Sequence, residues 1–219
     1  MSLTTFQERL AVALLAHDIE TANRVLGEVL ALYSLEDLVL EVVRPTLADI
    51  GHAWEEGRAT VATEHFTTHF LRHRLLTWML TSPAPLPARP IVLACAPGEW
   101  HEGSLLILGT LLRHLRWPVA YLGQSVPLPD LVTFVQEIRP AVVVFVAMME
   151  EPARALAEWP RWFPEAARGG RPIMTYGGLI FTEQPPWREK VPGTFLGATL
   201  REGVEVLDRL MRDVTPLMH

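Results

Sequence analysis

The sequence predicts a helical bundle joined to a parallel α/β unit, and three observations carry that prediction. From the N-terminus to about residue 81, apolar residues recur at helical spacing. Four prolines then fall within positions 83–90, which excludes a helix and favours an extended connection. From Ile91 onward, short runs rich in Val and Ile alternate with amphipathic stretches, the pattern of a parallel sheet covered by helices. The expected organisation is a four-helix bundle over residues 1–81, a proline-rich linker over 82–90 and a Rossmann-like domain over 91–219.

In the bundle, Phe6, Leu10, Val12, Ala13, Leu14 and Ile19 mark a first helix, and Ala22, Val25, Leu26, Val29, Leu30 and Leu32 a second. Residues 35–56 read as a third, with Leu38, Leu40, Val42, Val43, Leu47 and Ile50 on its buried side. Pro45 lies inside that pattern and predicts a kink or a broken first segment. Gly57 ends the helix. Thr60 can cap a fourth helix that carries Glu64 in its first turn and runs to about Leu80. Short loops between four helices make a bundle. In the second part, strands are expected at 91–95, 118–122, 141–147, 172–176 and 193–196, and helices near 103–116, 128–138, 151–158 and 200–212. Residues 159–171 read as irregular. This order predicts a flavodoxin-like, doubly wound sheet of five parallel strands.

Composition narrows the function. Of 219 residues, 49% are apolar, which a globular chain needs and a disordered one lacks. Nineteen basic against 25 acidic residues give a formal charge of −6, with no long basic run, which argues against nucleic-acid binding by this chain alone. The one cysteine, Cys95, falls inside a predicted strand; no disulfide framework is possible, a reducing cytoplasm is the default, and the residue reads as a small buried hydrophobe. No apolar stretch reaches membrane-spanning length, and the N-terminus lacks a basic flank and a signal-like cleavage site. A cytoplasmic protein without membrane contact is expected.

The chemically richest stretch is 96–103, Ala-Pro-Gly-Glu-Trp-His-Glu-Gly, at the carboxyl end of the first strand. Open α/β sheets bind ligands there. A neutral His101 imidazole can coordinate a metal and Glu99 can orient it; the competing reading is a surface loop that happens to hold a histidine. Gly177 and Gly178, after the fourth strand, either let backbone approach a ligand or make an ordinary turn. His65, His69 and His73 share one helical face. A His pair at that spacing can hold zinc or haem, but no cysteine or third ligand stands beside these. Trp54, Trp78 and Trp100 are candidates for lining a cavity, and Trp117, Trp159, Trp162 and Trp187 for core or interface packing. Met148 and Met149 read as core filling, Glu150 and Glu151 as a helix N-terminus.

The bundle, the linker and a sheet whose first loop carries Glu99-x-His101 together resemble the cobalamin-binding modules. The resemblance implies that His101 is the lower axial ligand to cobalt, replacing the cofactor's own dimethylbenzimidazole, with Glu99 behind it. The nucleotide tail would thread into the sheet domain past Ser104, Ser125, Val126, Gly177 and Gly178. Two elements depart from the family. Its Asp/Glu-x-His-x-x-Gly loop has glycine where this chain has Ser104, with Gly103 one residue earlier. Its Ser-x-Leu at the end of the third strand has no counterpart in residues 144–148.

A second match lies in the bundle. Trp54, nine intervening residues, then Glu64-His65 is similar to the Trp-x9-Glu-His signature of CarH-type light sensors, which use adenosylcobalamin as chromophore. The resemblance implies that Trp54 packs on the adenosyl group, Glu64 contacts it from the upper face, and His65 captures cobalt after light breaks the cobalt–carbon bond. His69 would line the same cavity one turn deeper, and Trp100 would flank the lower ligand. The residue types suit these roles: an indole face stacks on adenine, a carboxylate accepts from the adenosyl hydroxyls or amine, and an imidazole nitrogen fills an emptied cobalt site.

The implied function is not enzymatic. A cobalamin-bound sensor would signal through bundle position, assembly or partner binding, as a homo-oligomer with a protein partner for output. CarH-type regulators usually carry an N-terminal winged-helix DNA-binding domain; residues 1–32 here read as bundle, so this chain, whole or fragment, is expected to lack it. One alternative is a corrinoid protein of a methyltransferase system, which a bulky Trp54 beside Glu64-His65 argues against. Another is a binding protein for cobalamin or a different tetrapyrrole. The extra histidines also permit a second chromophore such as a bilin.

Overall fold

The computed structural model describes residues 2–215, which divide into two units at Thr81 and Ser82. The first is helical: α1 (Leu3–Leu15), α2 (Ile19–Leu32), α3 (Leu35–Leu38), a π-helical turn (Val39–Val43), α4 (Arg44–Glu55) and α5 (Val61–Thr81). The first helix stops short of Ile19. His17 takes a left-handed φ of 59°, Asp18 N–H donates back to Ala13 O, and the Asp18 carboxylate then caps α2 by accepting from Thr21 N at 2.9 Å. Ile19 therefore opens the second helix.

The α3, π and α4 segments form one continuous helical stretch, and Pro45 explains its break. Proline brings no N–H to the helical ladder, and the register loosens just before it, with Arg44 N–H reaching Val39 O five residues back. Side chains meet the loosened carbonyls: Thr46 Oγ1 donates to Val42 O at 2.7 Å and Arg44 Nε to Leu40 O at 3.4 Å. Gly57, at φ 71°, closes α4, and Thr60 Oγ1 caps α5 by accepting from Thr63 N. On α5 the residues spaced by four from Thr63 to Met79 (Thr63, Thr67, Leu71, Leu75, Met79) are buried, while His65, His69 and His73 are exposed. Two rows of the same period thus take opposite sides of one helix.

The second unit is a sheet in the order β2-β1-β3-β4-β5, every pair parallel. Its strands are β1 (Ile91–Cys95), β2 (Val119–Gly123), β3 (Val142–Val146), β4 (Ile173–Gly177) and β5 (Thr194–Phe195). The doubly wound arrangement follows from period-two burial. Val92, Ala94, Val143 and Phe145 face one core with α7 (Leu128–Ile138) and α8 (Glu150–Leu156). Ile91, Leu93, Val142 and Val144 face another with α6 (Gly103–His114) and α13 (Leu200–Val214). The strand order reverses between β1 and β3, so their carboxyl ends open the crevice in which such sheets bind ligands.

Several local expectations need correction. Residues 159–171 are not irregular throughout: they hold α9 (Trp159–Trp162) and α10 (Pro164–Ala167), each with proline in the first two positions, where its missing N–H costs nothing. Two short helices went unpredicted, α11 (Leu179–Glu183) and α12 (Trp187–Lys190). Met149 is exposed at the cap of α8 rather than core filling, and Trp162 is exposed, whereas Trp117, Trp159 and Trp187 are buried. The proline-rich segment is no free tether: Leu86 N donates to Arg116 O, and Arg113 and Arg116 donate to the carbonyls of Pro83 and Ala84.

Trp117 and Arg212 fix α13 through one carboxylate. Burial pushes the Asp208 pKa up, but Arg212 Nε and Trp117 Nε1, both at 2.8 Å, hold it below the ordinary aspartate value on balance. A depressed folded pKa contributes stability that is fully present above the unfolded value of about 3.9 and lost as pH falls through the folded value. The stability advantage of the native chain over Asp208→Asn, from denaturant melts, is expected to shrink as pH drops below about 4. Gly178 gives a second prediction. A Cβ there would lie 2.1 Å from Ala147 O, at a φ of 119°. Gly178→Ala should cost about 2 kcal/mol or more in the same melts.

Candidate functional site

The site is built on Glu99. This carboxylate is 1% exposed, at the carboxyl end of β1, and three donors converge on it. Its Oε1 accepts from His101 N at 2.8 Å and from His101 Nδ1 at 2.7 Å; its Oε2 accepts from Met148 N, beyond β3, at 2.6 Å. A buried carboxylate is tolerated only when so satisfied. With Nδ1–H given to Glu99, the neutral His101 ring keeps its lone pair on Nε2, and the side chain is 66% exposed. The imidazole is thus oriented from behind and open in front. A cobalt already held equatorially by a macrocycle needs one such nitrogen, whereas a structural zinc site needs four ligands. Among the described residues no cluster of three or more His, Cys, Asp or Glu is assembled to hold a metal ion, the His65-His69-His73 row included.

The segment after β2 clamps the same loop. Gly98 N donates to Ser125 Oγ at 3.1 Å, Ser125 N to Glu99 O at 2.8 Å, and Val126 N to Cys95 O at 3.3 Å. Gln124 Nε2 donates to Trp100 O at 2.7 Å. Ser125 and Val126, expected as ligand contacts, therefore hold the histidine loop; Gln124 was missed because its partner lies 24 residues away. On the other side of His101, Glu102 is buried and accepts from the Tyr121 hydroxyl. Cys95, below the loop, is inert: burial, then the carboxylates of Glu99 and Glu102, push its thiol up to about 12.

Ser104 sits in the first turn of α6, where its hydroxyl is buried and finds no partner among the described residues, as does that of Thr67 in α5. A buried hydroxyl without a protein partner is costly unless a water or a ligand atom meets it. At Gly178 a Cβ would run into the Ala147 carbonyl, so the glycine permits a close approach of two chain segments, while Gly177 ends β4 and accepts from Ala147 N at 3.1 Å. Trp100 is 65% exposed between the two residues of the Glu99–His101 pair.

The helical unit repeats the carboxylate–imidazole device. Glu64 Oε2 accepts from His65 Nδ1 at 2.6 Å and its Oε1 from Thr68 Oγ1 at 2.7 Å, so the exposed His65 ring also keeps Nε2 open. His69 is exposed one turn on, edge-on to His65 at 6.3 Å, and stacks at 6.5 Å on His73. Trp54 is 47% exposed near the end of α4, which packs against α5.

Two family models match the chain, both described as a B12 binding domain, one over residues 6–76 and one over residues 89–210. The chain is 36% identical over 181 residues to the HTH-type transcriptional repressor CarH of Myxococcus xanthus, covering 82% of this chain and 60% of that protein. It is 32% identical over 198 residues to the HTH-type transcriptional repressor CarA of the same organism, covering 89% and 64%. It thus spans about three fifths of the length of these curated relatives. The monomethylamine corrinoid protein of Methanosarcina barkeri shares the fold, with a TM-score of 0.68 at 13% identity over 96% of this chain and all of that one. With one B12-binding model lying over the helices and the other over the sheet that carries the Glu99–His101 pair, this chain belongs to the B12-binding domain family, in the form it shares with CarH and CarA.

Proposed function

We propose that the chain is a light sensor whose chromophore is adenosylcobalamin. The observation that carries this reading is the pair of carboxylate-oriented imidazoles, Glu99–His101 in the sheet unit and Glu64–His65 in the helical unit, with Trp54 upstream of the second at the spacing of the CarH-type signature. The residues fit a corrinoid: His101 would offer one nitrogen ligand, and the buried Ser104 hydroxyl, three residues on, would offer a polar contact. Bound adenosylcobalamin would supply a cobalt–carbon bond that light breaks.

The chain's own residues do the rest. Glu99 fixes the tautomer and aim of His101, which would hold the cobalt through Nε2. Trp54 would offer a flat apolar face to the adenosyl group, and Glu64 would accept from its hydroxyls or amine. Glu64 also keeps the His65 Nε2 lone pair ready as a second nitrogen ligand once the adenosyl group has left. Trp54 would lose its packing partner after illumination, and the helical unit would signal through its position, self-assembly or partner binding. Because the curated relatives are transcriptional repressors, we place the output in transcriptional control through a protein partner, without catalytic turnover.

The chain is expected to retain adenosylcobalamin through desalting in the dark, and green light should change its absorption spectrum irreversibly together with its elution volume. A chain that keeps no cofactor overturns the reading; retained cofactor with no change of assembly or partner binding supports a corrinoid carrier instead. At a thousand times its Kd, cobalamin should stabilise the native fold by about 4 kcal/mol, read as a raised Tm in the dark. His101→Ala should abolish histidine ligation in the dark spectrum. His65→Ala should leave the dark spectrum intact and alter only the spectrum after illumination; unchanged light spectra would remove His65 from its role.

A further inference from the structure

At the amino edge of the sheet, opposite the His101 loop, the sheet unit holds a cavity of about 640 Å³. Its lining is mostly apolar, from Pro87, Ala88, Ala141 and Val214, and is completed by Thr215 and two arginines, Arg89 and Arg171. The volume lies within the range of about 300–1,000 Å³ typical of small-molecule sites. Neither arginine makes a side-chain hydrogen bond or ion pair among the described residues, and Asp213, next to Val214, pairs with neither. Two arginines lining one hollow, with no carboxylate among its lining residues, give it a positive character that suits an anion.

The charge is patterned. The connections that feed β1, β2, β3 and β4 each place an arginine one or two residues before a proline: Arg89-Pro90, Arg116-Trp117-Pro118, Arg139-Pro140 and Arg171-Pro172. In sheet order these arginines line one edge of a chain whose net charge is −6. Arg116 is occupied by Ala84 O, and Arg139, two residues before the cavity-lining Ala141, adds a third cation without a side-chain partner among the described residues. A guanidinium is planar and matches the oxygens of phosphate and carboxylate. A concave apolar wall, in contrast to a flat basic stripe, selects a ligand with a body to bury.

We propose that this cavity binds a small organic anion, an apolar body bearing a phosphate or carboxylate group that Arg89 and Arg171 hold. The site is separate from the cobalamin-binding loops, so it does not depend on the light-sensing reading.

The test titrates the full chain with 1-naphthyl phosphate and 1-naphthoate, following arginine Nε–Hε resonances by NMR. The neutral 1-naphthalenemethanol and inorganic phosphate serve as the body-only and head-only controls. Saturable one-to-one binding is expected for at least one naphthyl anion, with the Arg89 and Arg171 signals moving and both controls about tenfold weaker or more. The better of the two anions identifies the head group. The double variant Arg89→Gln, Arg171→Gln should keep its Tm, both side chains being exposed, and lose about tenfold or more in affinity. No saturable binding of either anion up to millimolar concentration, equal affinity for the neutral probe, or undiminished binding by the double variant would each overturn the proposal.

Discussion

The loop at the heart of this protein depends on one buried carboxylate. Glu99 loses hydration by sitting beneath the surface, and three N–H donors, two from His101 and one from Met148, replace it. Those bonds tie the ends of β1 and β3 together at the point where the sheet order reverses, and they fix which way the His101 ring faces. The other loop contacts defend this geometry: Ser125 and Gln124 hold the chain before and after Glu99, and Tyr121 engages Glu102 just beyond. Remove the Glu99 charge and the donors are orphaned together, because each has no other acceptor among these bonds.

The sheet explains why such a device can be precise. Both faces of β1 and β3 are buried by helices, so the strand ends move little relative to one another, and the loops above inherit that rigidity. The helical unit achieves the same orientation more cheaply, with Glu64 beside His65 on one turn of α5 and Thr68 bracing it one turn on. Two imidazoles, one per unit, are thereby presented with the same nitrogen outward by the same chemistry.

How much of this was legible in the sequence follows the range of the interactions. Strand β1 was read to the residue because its apolar run is bounded on both sides by proline-containing turns. Strand β2 was read one residue early: Pro118 cannot donate to a ladder, and the strand extends to Gly123 across a bulge opposite Ala94. Residues 159–171 were read as irregular, whereas the prolines at 160 and 164 sit in the first turns of two short helices, a position that favours proline. In the site, the Glu99–His101 pair was visible because its partners are two residues apart, whereas Glu64 and His65 were visible by their spacing from Trp54 and their hydrogen bond to each other was not read. Met148 N, Gln124 and the Tyr121–Glu102 pair were not visible, since hydrogen bonds spanning 19 to 49 residues leave no mark on local spacing.

The histidine row on α5 has a consequence in helical geometry. Residues four apart advance by about 40° around the axis, because a turn takes 3.6 residues. From His65 to His73 the row therefore winds through about 80°, while the buried row from Thr63 to Met79 winds with it. That spread is narrower than one helix face, so the three rings stay on a single side of α5 and His69 bridges the other two, edge-on to His65 and stacked on His73. Anything that meets His65 from solvent therefore has His69 as its next neighbour, one turn along and about 40° around the axis.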